Sequence, residues 1–476
     1  MSLLFDPGNL DQFKSQIRTI PGYPAGEDLP IRDMVFESGA LWRMPDLLMH
    51  AGMRPAQPLS VVMDRTPMKR EGRDLKEVVL EILKDKGWQV DVIWLEPDST
   101  GQVHTDFSQI NSVKARLKKN SSVLSVGSGT VTDVAKHACH VYQQEQGIQP
   151  LPFVVYQTAN SVSAYTSNMA PTFVDGVKRT LPSRYPDVLI CDLETLRDAP
   201  RAMTVAGVGD LLAAFGSYAD WWLAYRLGLD KTYTEFAQIL MGPLDEIFLE
   251  QAAELRKGTL ESTAILAKLI ALGGLAMSLS HATAPLSGYE HVISHVLDLV
   301  AEKKERPLAQ HGTQVALATL LTTAAYQVFF NEFEPAEVSL ENCYPTEAEM
   351  KARIETAFSP LDPTGHVAVE CWSDYKVKLE AWHAHRADFE DALRDWQDIQ
   401  TQLRSLVKRP EVASRILHAI ASPVDFEGLT PAPTEAEVQF AFRSAPLIRH
   451  RFTLGDLFVF LNWDQGTLWA QVNKSP

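Results

Sequence analysis

The sequence predicts two domains: an N-terminal Rossmann-like α/β domain with a parallel sheet over residues 1–200, and an all-α C-terminal domain over residues 201–476. Three observations carry this reading. The chain has 476 residues, more than one hydrophobic core usually organises. From about Ser60 to Ile190, short apolar runs alternate with amphipathic stretches, the pattern of βαβ units. After Pro200 the texture changes to long helical segments, VGDLLAAFGSYADWWLAYRLG first and then TLESTAILAKLIALGGLAMSL.

Strands are placed at LSVVMD, QVDVIWL, SVLSVG, FVVYQT and DVLICD. Runs so rich in Val, Ile and Leu suit strands covered on both faces. Between them, GRDLKEVVLEILKDKG and TDFSQINSVKARLKKN repeat apolar residues at helical spacing with their charges on the opposite side. The domain boundary falls in LRDAPRAMTVAG, between Leu196 and Ala206. From about 330 to 433 the chain is richer in charge, Trp and Pro and reads as an extended insertion of helices and long loops. Strand-like alternation is expected again only in the last few dozen residues.

Sixty acidic residues against 44 basic ones give a net charge of −16, and no dense Lys/Arg stripe follows a predicted helix. That argues against a nucleic-acid partner, which needs clustered positive charge. Cys139, Cys191, Cys343 and Cys371 are scattered without a CxxC pair, so neither a disulfide framework nor a cysteine zinc site is indicated, and a reducing compartment fits. The N-terminus lacks the basic start and apolar core of a signal peptide, and no stretch reaches the roughly 18 apolar residues of a membrane span. A cytoplasmic protein with a small-molecule partner is expected; assembly into a homo-oligomer is left open.

Two constellations carry chemistry. In SVLSVGSGTVTDVAKHA an apolar strand runs into GSGT and then a helix. Gly127 and Gly129 let a pyrophosphate approach the backbone, and the helix N-terminus offers free N–H groups and a positive dipole end. An ordinary strand-to-helix turn would read the same. Asp64, at the end of the first predicted strand, suits a ribose hydroxyl, which would favour NAD over NADP, or caps the next turn.

The second constellation is Asp210 in AGVGDLLAAF, His291 with His295 in SGYEHVISH, and His311 in AQHGTQVALATL. Residues 291 and 295 are four apart and share one helical face. A carboxylate with two imidazoles is an ordinary catalytic ligand set for Zn²⁺ or Fe²⁺. With 13 histidines in the chain, separately satisfied polar groups are the alternative.

These motifs, with ESGALWRMPDLL, VHTD, DGVKRTLPSRYPDVLICDLETL and LIRHRFTLGDLF, resemble the sn-glycerol-1-phosphate dehydrogenase family, in the superfamily of glycerol dehydrogenase, iron-containing alcohol dehydrogenases and 3-dehydroquinate synthase. The resemblance runs from about Val35 to Leu320, with an echo around Leu447 to Phe458. It implies a dehydroquinate synthase-like fold and NAD or NADP as cofactor. It also implies one divalent metal, zinc first and iron or nickel otherwise, on Asp210, His291 and His311. It assigns Gly127, Gly129, Thr130 and Asp133 to the pyrophosphate loop, Thr158 and Ser161 to the nicotinamide, and His295, Lys178 and Ser163 to the neighbourhood of the substrate.

Two departures from the family stand out. QTANSVSAYTS replaces PTAPSMDGYAS, so Ser163 stands for an aspartate and Asn160 for a proline, and Ala214 stands for the lysine of GDLLGK. The leading expectation is a metal-dependent NAD(P)-linked dehydrogenase of a polyol, polyol phosphate or keto compound. Loss of the lysine cation makes glycerol 1-phosphate itself an expected poor substrate. The rivals are a 3-dehydroquinate synthase-type cyclase or lyase that uses NAD transiently, and a nucleotide-binding relative with altered catalysis.

Overall fold

The computed structural model describes residues 3–174 and 176–474, in two compact units. The first comprises residues 1–174, 178–208 and 239–279, the second residues 175–177, 209–238 and 280–476. A single cut near residue 200 therefore assigns residues 239–279 to the helical half, whereas they cluster with the α/β half.

The strands are β1 (Asp33–Glu37), β2 (Pro58–Met63), the two-residue pair β3 (Lys69–Arg70) and β4 (Arg73–Asp74), β5 (Gln89–Trp94), β6 (Ser122–Gly127), β7 (Phe153–Gln157), β8 (Met169–Val174), β9 (Val177–Pro182) and β10 (Val188–Asp192). Helices α1 (Leu10–Ile17), α2 (Met44–His50), α3 (Leu75–Asp85), α4 (Phe107–Arg116) and α5 (Gly129–Gln146) are interleaved with them. Then come α6 (Leu193–Asp198), α7 (Arg201–Leu212), α8 (Ala214–Arg226), α9 (Phe236–Met241), α10 (Leu244–Lys257), α11 (Leu260–Leu279), α12 (Tyr289–Lys303) and α13 (His311–Glu332).

Six strands form one parallel sheet in the order β1-β10-β7-β6-β2-β5. The five strands expected from the sequence are all in it. The sixth, β1, is an edge strand whose short DMVFE run carries a charge at each end, so its apolar signal is weak. Pleating turns Val61, Met63, Leu124 and Val126 to one core shared with Leu47 of α2 and Val79 and Leu83 of α3. On the other side α5 packs on β6 and β7 with Val131, Val134, Ala135 and Ala138 fully buried. The chain passes from β2 outward to β5 and returns to β6 on the other flank of β2. The gap beyond the carboxyl ends of β2 and β6 is thus the topological switch point, where parallel sheets bind ligands.

The remaining helices are α14 (Glu347–Phe358), α15 (His366–Ala384), α16 (Arg386–Arg394), α17 (Trp396–Leu406), α18 (Pro410–Ala419), α19 (Glu435–Ser444), α20 (Leu454–Phe460) and α21 (Gln465–Val472). The stretch from 330 to 433 is therefore mostly helical. Its Trp396 packs edge-on against Phe329 and Phe333, and its Trp382 stacks on Phe460. No strand follows β10 among the described residues, so the expected return of strand alternation near the end is corrected. The apolar residues there belong to α19–α21 and fill a helical core.

A second correction concerns apolar length. Residues Arg201–Arg226 and Leu260–Leu279 are long and apolar enough, by composition, to cross a bilayer, but 83% and 78% of their apolar windows are buried within the protein. That cover by the protein's own side chains marks them as core helices.

Candidate active site

In the second unit, three helices bring Asp210, His291 and His311 together. Asp210 lies near the end of α7, His291 in the first turn of α12, and His311 begins α13. One ligand atom from each lies within 4.8 Å of the others. His291 Nε2 is 3.5 Å from Asp210 Oδ1, and the His291 and His311 rings have centroids 5.3 Å apart. Asp210 and His291 are buried; His311 is partly open. This donor set, one carboxylate and two imidazoles, fits a catalytic Zn²⁺ or Fe²⁺ with coordination positions left for substrate.

The imidazoles are held by a layer the sequence reading missed. Glu290, fully buried, accepts hydrogen bonds through Oε1 from Gly288 N at 2.6 Å and from His291 Nδ1 at 3.1 Å. A carboxylate bond to Nδ1 leaves the Nε2 lone pair of His291 directed at the cluster. Burial alone would lower the His291 pKa, but the bonds to Asp210 and Glu290 outweigh it and hold the pKa above the ordinary imidazole value. The same negative field favours a divalent cation. Ser294 Oγ lies 3.2 Å from His311 Nδ1, and Gln314 Nε2 donates to the Ser294 carbonyl at 3.1 Å. Behind Glu290, Asp220 accepts from Tyr326 Oη, Tyr289 N and Leu454 N at 2.7–2.9 Å. Burial, then the charge of Glu290, pushes the Asp220 pKa up to about 7.

His295 stacks parallel on His311, with centroids 5.7 Å apart and planes at 7°. Its Nδ1 lies 3.1 Å from Arg449 Nη2. A guanidinium only donates, so Nδ1 is the acceptor and the neutral ring carries its proton on Nε2. The sequence reading placed His295 near the substrate but assigned nothing to Arg449, which reaches it from 154 residues away.

In the first unit, the GSGT segment lies at the switch point. Gly127 ends β6, Ser128 precedes the helix, and α5 starts at Gly129 with Thr130 in its first turn. Neither glycine has positive φ. Their necessity is spatial: a Cβ on Gly127 would sit 2.4 Å from Val131 Cβ, and one on Gly129 would sit 2.3 Å from Val162 Cγ2. Close packing of the protein on itself is therefore reason enough for these glycines.

Asp133 is buried and ion-paired with Lys136 at 2.8 Å, and Lys136 Nζ also donates to the Ala164 carbonyl at 3.0 Å. The pair ties α5 to the loop after β7. In that loop Thr158 N donates to Gly127 O at 3.1 Å, Ser161 Oγ meets Tyr165 Oη at 3.2 Å, and Ser163 is buried. Asn160 accepts from Gln157 Nε2 and donates to the Thr263 carbonyl, a use of the side chain that a proline could not make. Thr158 Oγ1 is buried with no hydrogen-bond partner among the described residues. Asp64 follows β2, the second strand rather than the first; its Oδ1 faces Lys76 at 3.3 Å and its Oδ2 accepts from Thr66 at 2.5 Å. Lys178 sits on the β8–β9 pair, which the sequence reading did not foresee, with Nζ 5.3 Å from the Phe173 ring centroid.

Residues 35–200 match the model of the iron-containing alcohol dehydrogenase family. A glycerol-1-phosphate dehydrogenase [NAD(P)+] of Bacillus subtilis is 30% identical over 307 residues, covering 63% of this chain and 75% of the relative. A protein of the same description from Geobacillus stearothermophilus is 26% identical over 343 residues, covering 70% of this chain and 81% of the relative. Among solved structures, a sulfoacetaldehyde reductase from Bifidobacterium kashiwanohense in complex with NAD+ superposes with a TM-score of 0.55 at 13% identity, over 94% of this chain and 98% of that one. That last likeness is one of fold.

Proposed function

The chain belongs to the sn-glycerol-1-phosphate dehydrogenase family of metal-dependent, NAD(P)-linked alcohol oxidoreductases, and we propose that it catalyses reversible hydride transfer between NAD(P) and a polyol, polyol phosphate or related keto compound. The observation that carries this reading is the convergence of Asp210, His291 and His311 on one point. A divalent ion held there, zinc first and iron or nickel otherwise, would supply Lewis-acid polarisation of the substrate oxygen.

The chain's own groups supply the rest. The N–H groups at the start of α5, with Gly127, Gly129 and Thr130, bind the pyrophosphate, and Thr158 and Ser161 line the nicotinamide side. Asp133 acts by fixing this loop through Lys136 rather than by touching phosphate, where its charge would repel. Asp64, engaged with Lys76 and Thr66, gives no strong preference between NAD and NADP. His295 presents Nε2–H to the substrate oxygen. Ser163 offers a hydroxyl that both donates and accepts, and Lys178 adds a cation from its own unit. The four buried cysteines form no disulfide, which suits a cytoplasmic location.

The test is a nicotinamide absorbance assay with dihydroxyacetone phosphate and dihydroxyacetone, each cofactor, and zinc, iron or nickel supplied. Net NAD(P)H oxidation supports a dehydrogenase, product without net change points to a cyclase, and neither points to a binding protein. His291→Ala should lose metal by elemental analysis and activity together while keeping the helical circular dichroism of the parent.

A further inference from the structure

We infer that Asp220 is a positioning residue for the metal centre: its one buried carboxylate ties together the three helical runs that carry Asp210, His291 and His311. The inference rests on the metal reading above and names a residue that acts on the centre without touching substrate or ion.

Three other helices meet the Asp220 side chain. Asp220 stands, 1% exposed, on the helical run Arg201–Arg226, which also carries Asp210. Its Oδ2 accepts from the backbone N–H of Tyr289, the first residue of α12, at 2.7 Å. Its Oδ1 accepts from Tyr326 Oη on α13 at 2.7 Å and from the N–H of Leu454, the first residue of α20, at 2.9 Å. His291 lies in the turn that Tyr289 opens, and His311 opens the helix to which Tyr326 belongs.

The local sequence explains why a carboxylate is needed there. The first N–H groups of a helix have no partner inside it, and a side chain at the N-cap usually supplies one. The N-cap of α12 is Gly288, which has no side chain to offer. A Cβ on Gly288 would stand 2.6 Å from Asp220 Oδ2, so the glycine that leaves Tyr289 N without a local cap also makes room for one from α8. A negative group suits the place, because the positive ends of α12 and α20 both face it. Glu290 cannot take this role: it neighbours His291 on the same turn, so its bond orients the ring but travels with it. Asp220 reaches that turn from the helical run of Asp210 and so fixes one ligand with respect to another. A binding constellation has to be held to within about 0.5 Å.

The experiment compares the full chain with Asp220→Asn, Gly288→Ala and Tyr326→Phe, at a pH above the Asp220 value of about 7. Zinc affinity is read by chelator competition, ligand geometry by the visible bands of the cobalt-loaded protein, and stability by the denaturant midpoint. An amide at 220 keeps the volume but exchanges an acceptor for a donor, so at least one of the three hydrogen-bond donors meets another donor. Asp220→Asn should weaken zinc binding about 10- to 100-fold and alter the cobalt bands. Gly288→Ala drives a methyl against the same carboxylate and should do likewise. Tyr326→Phe removes a bond to the other oxygen and leaves the bond to α12 in place, so it should lower the midpoint while keeping wild-type zinc affinity and bands. Zinc affinity that falls in step with the midpoint in all three variants would make Asp220 merely structural and overturn the proposal. Wild-type affinity and bands in Asp220→Asn would overturn it as well. If Asp220→Asn does not fold, Gly288→Ala decides on the same terms. If wild type binds neither zinc nor cobalt, the metal reading fails, and the His291 ring resonances of the metal-free chain decide the role of Asp220. They should shift in Asp220→Asn or Gly288→Ala but not in Tyr326→Phe; resonances unmoved in all three would overturn the proposal.

Discussion

Gly209 of α7 lies so close to Gly312 of α13 that a Cβ on Gly209 would stand 2.2 Å from the Gly312 carbonyl oxygen. Each of these glycines adjoins a candidate ligand, Asp210 on one side and His311 on the other. The absence of a side chain at 209 is what lets the two helix backbones approach and their ligands share one point. The first prediction follows: Gly209→Ala should force α7 and α13 apart, lower divalent-metal affinity at least tenfold, and destabilise the protein by about 1–3 kcal/mol as other overpacked sites do. Metal titration and denaturant unfolding would check it; unaltered metal affinity would show that the helices can yield without moving Asp210.

The Glu290–His291 bond yields the second. Partners that orient a ligating imidazole typically affect metal affinity by about 10- to 100-fold. Glu290→Ala should therefore weaken metal binding by that factor, and Glu290→Gln, which keeps an acceptor but loses the charge, by less. Since the bonds to Asp210 and Glu290 hold the His291 pKa up against burial, both variants should also lower it. NMR titration of the metal-free protein reads the shift directly. A pKa unchanged in both would leave Asp210 as its sole support.

A third prediction concerns the loop. In Gly129→Ala the new methyl would meet Val162 Cγ2, part of a stiff β-branched side chain in the segment that follows β7. NAD(P) affinity should fall, because either α5 or that segment must move. Trimming the obstacle in the double variant Gly129→Ala/Val162→Ala should restore much of it. If the single variant binds cofactor normally, the glycine serves neither packing nor phosphate.

What was legible in the sequence was whatever repeats locally or stands in a motif. Strands β2, β5, β6, β7 and β10 announce themselves by runs rich in Val, Ile and Leu, and Asp210, His291 and His311 by their small-residue surroundings. Residues whose role depends on a distant partner were not legible. Arg449 meets His295 across 154 positions, and Asn160 meets Thr263 across 103. Glu290 was in plain view beside His291, yet only its burial shows that it is a ligand's support and not a solvated acid. Nothing in a one-dimensional pattern places Lys76 against Asp64 or Lys136 against Asp133. Edge strand β1 and the β8–β9 pair were missed because short strands with charged residues lack the periodic signal that the central strands carry.

The Asp133–Lys136 pair gives the last prediction, in which burial competes with ion pairing. Lys136 is wholly buried and Asp133 nearly so, 2.8 Å apart. Burial pushes the Asp133 carboxyl up, Lys136 and then Lys178 pull it back, and burial prevails, leaving the pKa at about 6. A carboxyl whose pKa is raised by folding takes up its proton more readily in the folded chain than in the unfolded one. Its contribution to stability is fully present below the unfolded carboxylate value of about 4 and is lost as pH rises through 6. The slope of that loss is up to about 1.4 kcal/mol per pH unit. Asp133→Asn lacks the titrating group, so the difference in unfolding free energy between wild type and variant should shrink as pH goes from 4 to 6 and level off above. Guanidinium unfolding of both proteins across that range, at fixed salt, measures it. A difference that instead grows with pH would mean that Lys136 wins the competition and holds Asp133 ionised in the folded chain.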